Sequence, residues 1–551
     1  MPVIEVLISD LERLLGTKLT RAEVEDLLPR VKCEVESIEG DVVVYEATHD
    51  RPDLYSAEGL ARALRGLLEI EVGLPKFKVS GDLIPVECRG PSYRPYVLVA
   101  AVRGLKLDDE AVRQAMQLQE KLHATYGRNR RKVSIGIYDL SKIEPPVRYV
   151  TVKPDEVSFV PLDFAEEMTP REILEKHPKG VEYGHLIKGY DVYPLLVDSK
   201  GLVLSMPPII NSEDTRVTEE TRDVLIDVTG TDLRAMMEVL TVVATSLFER
   251  GEEIVRAEVK GSWGTEVSPK LDPYVVKFDS SLVKALGGVK MGVEEVVKML
   301  EKMRMEARPL DEQLEVKVPA YRVDILHPVD LVEDVLMAYG YENIEPELLP
   351  PQHPGREDGL EVFSRLVREV MVGLGFQEVA NYMLTNKRVL YELMNHPELP
   401  TVEVENPKQE TYTCLRTWIT PQLMQVLSRS KHADYPQRIF EVGDVALVDE
   451  TRDNRVREER RLAIAIAAAN ATFTDIHAVV NSLMKLLGLE YELRRTKHPS
   501  LIDGRAAAVV VKGMEVGFLG EVHPEVLEKW ELKVPVAVAE LNLSALRDLL
   551  D

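Results

Sequence analysis

The sequence predicts a chain of mixed α/β and α+β class divided into several domains. Three observations carry that expectation. At 551 residues the chain is too long for a single core. Through its first two thirds, stretches with alternating apolar residues are interleaved with stretches at helical spacing. The last third instead runs one helix into a succession of strands.

Residues 1–90 read as a small N-terminal α/β domain. Ser9-Asp10-Leu11-Glu12 and Thr20-Arg21-Ala22-Glu23 both have the Ser/Thr-x-x-Glu form, in which side chain and backbone satisfy each other's free groups at a helix start. Gly16 is placed to stop the first helix. Val42, Val43 and Val44 suggest a strand, and Thr48-His49-Asp50-Arg51-Pro52-Asp53-Leu54 then leads into a helix through Glu58-Gly59-Leu60-Ala61-Arg62. The Asp and Arg residues there read as loop stitching.

Residues 91–262 form the second expected domain. Strands are predicted over 96–102 and 133–139, with a helix around 118–123 between them. Two later segments matter more: Leu202 to Thr215, which contains Ser205, Asn211 and Ser212, and Leu225-Ile226-Asp227-Val228-Thr229-Gly230-Thr231. Strands that end in hydroxyls, an amide and carboxylates can bring several polar groups to one pocket mouth. The same residue types also serve as ordinary turn and cap residues. Gly261-Ser262-Trp263-Gly264, with Pro269 and Pro273 beyond, reads as a linker.

Residues 271–347 are expected to be a small acidic α/β module. Val293, Val296, Val297 and Leu300 recur at helical spacing, and Leu314, Val316 and Val318 alternate with charged residues. Pro328 suits the first turn of a helix, because its missing N–H costs nothing there. On a helix over 329–339, Asp330, Glu333 and Asp334 fall at i, i+3 and i+4, and Asp324 from the preceding strand end can close on them. So many like charges need helix-terminal N–H groups, a basic partner or a cation to offset them. An all-oxygen set points to magnesium or calcium rather than zinc. A helix dipole alone also selects acids in its first turn.

The run Leu348-Leu349-Pro350-Pro351-Gln352-His353-Pro354-Gly355 separates the last segment, 354–551. A helix is expected over 360–374, and Leu462, Ile464 and Ile466 alternate with alanines in a buried strand.

Bulk properties restrict function. Against 93 acidic residues stand 68 Lys and Arg, a formal charge of −25 that repels a phosphate backbone over most of the surface. Any RNA contact must be local, and Tyr126-Gly127-Arg128-Asn129-Arg130-Arg131-Lys132 is the candidate; a solvated loop is the alternative. Cys33, Cys88 and Cys414 lie far apart and read as buried thiols. No apolar run reaches the ~18 residues that cross a bilayer, and the amino terminus lacks a basic region followed by an apolar one. A soluble, cytoplasmic chain with no membrane partner is the expectation.

Pro319-Ala320-Tyr321-Arg322-Val323-Asp324-Ile325, followed by Asp330-Leu331-Val332-Glu333-Asp334-Val335 and Tyr339-Gly340-Tyr341, resembles the signature of the phenylalanyl-tRNA synthetase β subunit of the archaeal and eukaryotic type. Arg51-Pro52-Asp53-Leu54 and Glu58-Gly59-Leu60-Ala61-Arg62 extend the likeness. The resemblance implies that Asp324, Asp330, Glu333 and Asp334 bind a magnesium ion near an α subunit. It implies that 91–262 is an editing domain of the β3/β4 type, which hydrolyses tyrosine misattached to the tRNA for phenylalanine, with Ser205, Asn211, Asp227 and Thr229 as site residues. It also implies a heterotetramer of two α and two β chains, in which α makes phenylalanyl-adenylate from ATP and charges the tRNA.

The last domain resembles the class II synthetase antiparallel-sheet fold in an inactive form. Arg438 and Glu441 sit where the second motif of that class places ATP contacts, but at Arg-x-x-Glu spacing. Pro535-Val536-Ala537-Val538-Ala539-Glu540-Leu541 replaces its glycine-rich third motif, which ends in an arginine. Two other readings stay open: a structural partner without editing, and a metal-dependent phosphoryl-transfer centre, for which Arg322 is the only nearby cation and no G-x-x-x-x-G-K-[ST] loop exists.

Overall fold

Val- and Ile-rich strands and one-sided apolar helices assemble into two units, Met1–Leu348 and Leu349–Asp551. The computed structural model describes residues 1–310, 313–349 and 354–550. Part of the expected linker at 348–355 therefore lies outside the described residues.

The first unit holds three sheets. In the smallest, Val42–Ala47 lies between Val3–Leu7 and Cys33–Glu39, all antiparallel. Thr20 and Glu23 form the expected capping box, and Gly16 ends the first helix at φ 76°. Ser9 behaves differently: its hydroxyl and N–H turn to the Asp41 carboxylate, and Glu12 accepts from Leu19 N–H instead. A carboxylate across the hairpin outcompetes the local cap.

The large sheet runs from Ile210–Asn211 through Val203–Met206, Tyr193–Val197, Val147–Val152, Val79–Cys88, Glu253–Gly261, Tyr96–Arg103 and Val224–Gly230 to Val133–Asp139. Strand Val79–Cys88 therefore belongs to this sheet, and the expected division at 90 falls ahead of Val79. Ile84, Val86 and Cys88 are buried at every second position, which commits the strand to the larger core. The expected linker at 261–264 is a hairpin turn, where Gly261 pairs with Gly264 as Gly264–Ser268 folds back on Glu253–Gly261. Helix Leu233–Phe248 packs on strands Tyr96–Arg103 and Val224–Gly230. Asp232 caps it through Ala235 N–H at 3.1 Å. Its buried Met236, Val239, Leu240, Val243 and Leu247 contribute about 1.5–3 kcal/mol each.

Strand twist accumulates across so many strands. The sheet coils until its ends meet: Asn211 Nδ2 donates to Ile137 O at 3.3 Å, joining the first strand of the order to the last. A cavity lies at that closure.

In the third sheet Gln313–Val318 lies between Tyr274–Phe278 and Glu306–Leu310. Helices Val293–Lys302 and Pro328–Tyr339 cover it around Phe278, Val296, Leu300, Val316, Leu331 and Val335.

The second unit is built on seven strands, antiparallel apart from the short Gln377–Glu378 at one edge. The alternation at 462–467 has a purpose. Leu462, Ile464 and Ile466 face helices Gly359–Gly373 and Phe473–Leu486, whereas Ala463, Ala465 and Ala467 face Trp418 and helix Thr420–Arg429. Alanine on that second face lets the large side chains lie close against the sheet.

Candidate active site

Strand Val224–Gly230 places Asp227 and Thr229 on one face, and its neighbour Val133–Asp139 contributes Ser134, Gly136 and Tyr138 at the same period. From the other end of the coiled sheet come Ser205 and Asn211. All of these but Thr229 line a cavity of about 160 Å³. That is close to the ~150 Å³ that holds a benzene ring in a protein core.

Three groups meet at its floor. Tyr138 donates its hydroxyl to the Asp227 carboxylate and lies 2.7 Å from Ser205 Oγ in a second hydrogen bond. Asp227 and Ser205 are each 2% exposed and Tyr138 is fully buried. Burial pushes the Asp227 carboxyl up to about 7, against the opposing pull of the Tyr138 hydroxyl and the charge of Arg94. Gly136 is opposite Asp227 in the strand pair, and a Cβ there would fall within 2.2 Å of both the Tyr138 hydroxyl and Asp227 Oδ1. Only glycine leaves room for this cluster.

Of the sequence-predicted residues, Ser205, Asn211 and Asp227 line the cavity and Thr229 does not. Thr229 stands one layer behind, where its Oγ1 accepts from Arg94 Nε at 2.9 Å and pairs with Ser134 Oγ at 3.0 Å. Arg94 is 4% exposed and also donates to Ser134 Oγ at 2.8 Å and Thr229 O at 2.7 Å, so it braces the wall. Sequence reasoning missed Gly136, Tyr138 and Arg94, and set Arg130 in a candidate RNA-contact run rather than at this cavity. The first two were signalled by the Ser134, Gly136, Tyr138 period, while nothing local marked Arg94. Arg130 bridges Glu120 Oε1 at 2.7 Å and Ile209 O at 2.9 Å along one side of the cavity.

Ser205 Oγ is hydrogen-bonded to the Tyr138 hydroxyl and, among the described residues, to no histidine. His177, which also lines the cavity, is engaged at Nδ1 by Lys179 N–H at 3.1 Å and at Nε2 by Leu162 O at 3.1 Å. Among the described residues it makes no hydrogen bond to Ser205, so no serine–histidine pair is formed here.

The acidic module differs from the expected knot of mutually repelling carboxylates. Arg322, 1% exposed, donates Nε to Asp324 Oδ1 at 2.8 Å and Nη2 to both Asp324 Oδ2 at 2.7 Å and Asp334 Oδ2 at 2.8 Å. Burial would raise the Asp324 carboxyl, but Arg322 more than offsets this and holds it down at about 2. Asp330 accepts from Leu326 N–H and His327 N–H at 2.8 and 2.7 Å, closing a capping box at the start of helix Pro328–Tyr339. Glu333 pairs with Lys32 at 2.8 Å. The repulsion is thus offset by an internal arginine, a lysine and helix N–H groups. Among the described residues no group of three or more His, Cys, Asp or Glu side chains is arranged to hold a metal ion. Magnesium needs only one or two carboxylates when it keeps its waters. Asp324 and Asp334 are bound to Arg322, Asp330 to backbone N–H groups and Glu333 to Lys32, so each of the four acids already has a partner within the chain.

In the second unit the expected ATP-contact positions part company. Arg438 is exposed, but Glu441 is 3% exposed and bound to Arg416 Nη1 at 2.6 Å and Asn381 Nδ2 at 2.7 Å. Glu540 accepts from Ile419 N–H at 3.0 Å, Thr420 N–H at 2.9 Å, Thr420 Oγ1 at 2.7 Å and Arg461 Nη1 at 3.1 Å. A buried carboxylate on strand Val536–Asn542, in the segment expected to replace the class's third motif, thus caps helix Thr420–Arg429.

Three family profiles match the chain. The sequence profile of the B3/4 domain matches residues 112–258, that of the tRNA synthetase B5 domain 276–341, and that of the phenylalanyl tRNA synthetase beta chain CLM domain 346–543. The chain is 57% identical over 544 residues to the phenylalanine–tRNA ligase beta subunit of Thermofilum pendens, covering 98% of each. It is 46% identical to that of Pyrococcus furiosus, covering 99% of this chain and 100% of the relative. The crystal structure of an N-terminal fragment of the phenylalanyl-tRNA synthetase beta subunit from Pyrococcus horikoshii superimposes with a TM-score of 0.59 at 45% identity, covering 62% of this chain and 100% of the fragment.

Proposed function

The chain belongs to the phenylalanine–tRNA ligase β-subunit family, and on that premise we propose that it is the editing, non-aminoacylating half of a cytoplasmic heterotetramer of two α and two β chains. The α subunit would form phenylalanyl-adenylate from ATP and charge the tRNA for phenylalanine, and this chain would hydrolyse tyrosine attached to that tRNA in error. One observation carries the hydrolytic reading: a ring-sized cavity whose floor joins a buried carboxylate, a phenol and a hydroxyl.

Tyrosine exceeds phenylalanine by one hydroxyl, which an apolar pocket rejects only weakly. A second site built to hydrogen-bond that hydroxyl discriminates strongly, because the smaller ring would leave its polar floor unpaired. Ionised Asp227, with Ser205 and Tyr138, would accept the substrate phenol. Asn211 donates its amide to Ile137 O and has no protein partner at Oδ1 among the described residues, which suits it to hold the attacking water or the substrate amine. Thr229 would act through Arg94 and Ser134 by keeping the wall in place. Catalysis would come from positioning a water. In the assembly, a magnesium ion held by Asp324, Asp330, Glu333 and Asp334 would supply a positive charge at the subunit boundary, in place of the contacts these acids make with Arg322 and Lys32.

The test is hydrolysis of tyrosyl-tRNA by the assembled enzyme. Asp227→Ala should lower it on the order of 10²-fold, and Ser205→Ala by less, with charging of phenylalanine intact. Unchanged hydrolysis in both variants would remove these residues from the site.

A further inference from the structure

Beyond the Pro208 wall of the cavity lies a second and larger depression of about 450 Å³, lined by Tyr93, Arg128, Arg131, Lys132, Tyr190 and Asp232 among others. The two hollows also share a brace, because Arg94 in the second donates to Ser134 in the first at 2.8 Å. Most of this molecule repels phosphate, so a gathering of cations here stands out from a net charge of −25.

The backbone sorts these cations. Arg128, Asn129 and Arg130 have successive φ values of 50°, 54° and 64°, all left-handed. Such a run persists in non-glycine residues only when the surroundings fix it. Here Arg130 is drawn inward to Ile209 O and Glu120, while Arg128 and Arg131 stay exposed. Lys132 is paired with Asp232 at 3.0 Å, but Arg128 and Arg131 pair with no acid among the described residues. Beside them Tyr93 and Tyr190 stack at 3.7 Å and 11°, with Tyr190 48% exposed. Free guanidiniums next to an open aromatic platform are what single-stranded nucleic acid requires: charge for the backbone and a ring face for a base.

We propose that this depression is a docking surface for single-stranded RNA, with Arg128 and Arg131 holding backbone phosphates and Tyr190 stacking a base, so that the esterified 3′ end reaches the cavity past Pro208. The identity of the strand rests on the hydrolytic reading of that cavity; the RNA surface rests on its own residues.

The double variant Arg128→Glu, Arg131→Glu tests it in the assembled enzyme. KM for tyrosyl-tRNA hydrolysis should rise at least about tenfold with kcat changed far less, and the log–log salt dependence should flatten by about one to two units. Ultraviolet cross-linking of a short single-stranded RNA, followed by peptide mapping, should place an adduct on the peptide bearing Tyr190 in the wild type and lose it in the variant. Unchanged KM, salt slope and cross-link in a variant of wild-type melting temperature overturn the proposal. Equal competition by AMP would make this a mononucleotide site and overturn it too. If the wild type cross-links there but hydrolyses nothing, the editing reading fails and the RNA surface stands. If it hydrolyses and no adduct maps there, the reverse holds.

Discussion

At the scale of the residue, Asp227 ties pH to stability and, on the proposed function, to activity. Its carboxyl sits near 7 when folded, against about 3.9 in an open chain. The folded state therefore holds this proton more tightly, and its stabilising contribution is complete below about pH 4 and lost as pH rises to about 7. The full shift corresponds to on the order of 4 kcal/mol. Asp227→Asn keeps the shape and removes the titration, so urea midpoints should fall less across pH 4 to 7 in the variant than in the wild type. On the proposed editing role the activity should run the other way in the wild type: hydrolysis of tyrosyl-tRNA should rise through an apparent pKa near 7, because the ionised carboxylate would be the acceptor for the substrate phenol. A flat rate profile over that range would take Asp227 out of direct contact with substrate.

At the scale of the element, helix Pro328–Tyr339 shows how one sequence pattern serves two physical ends. Its first-turn acid, Asp330, is a capping residue, as the helix dipole favours. Asp334, on the same helix, is 1% exposed and bonded to Arg322 from the preceding loop, together with Asp324. Truncating Arg322 would leave two buried carboxylates without their cation. Arg322→Ala should therefore cost about 3–5 kcal/mol in denaturant unfolding. A loss below about 1 kcal/mol would mean that another cation holds these acids. The depressed Asp324 carboxyl adds an acid limb: its contribution is present above about pH 4 and lost as pH falls towards 2.

At the scale of the whole molecule, the chain divides at 348, and the four segments suggested by the sequence pattern fall into two compact units. The first three segments share cores: strand Val79–Cys88 joins the large sheet, and Tyr321 packs in the same cluster as Leu60 and Leu64. A fragment ending at Leu348 should accordingly fold alone, giving one cooperative melt with native near-ultraviolet dichroism. A molten or aggregated fragment would contradict the division. The second unit carries apolar cover on both faces of its sheet, with Glu441 and Glu540 internally satisfied.

The sequence by itself determined the periodic elements, the glycine stop at Gly16, the capping box at Thr20 and the Arg322 to Asp334 signature, because each depends on residues within a turn or strand of one another. The family resemblance, rather than polar character at strand ends, singled out Ser205, Asn211, Asp227 and Thr229, and three of these line the cavity. Only the tertiary structure decided that Thr229 stands behind the cavity, that Arg322 neutralises Asp324 and Asp334, and that Tyr138 reaches Ser205. Those facts depend on a sheet coiling until its ends touch and on which charge is buried against which. Spacing along the chain carries no record of that closure, since Ser205 and Tyr138 stand 67 residues apart.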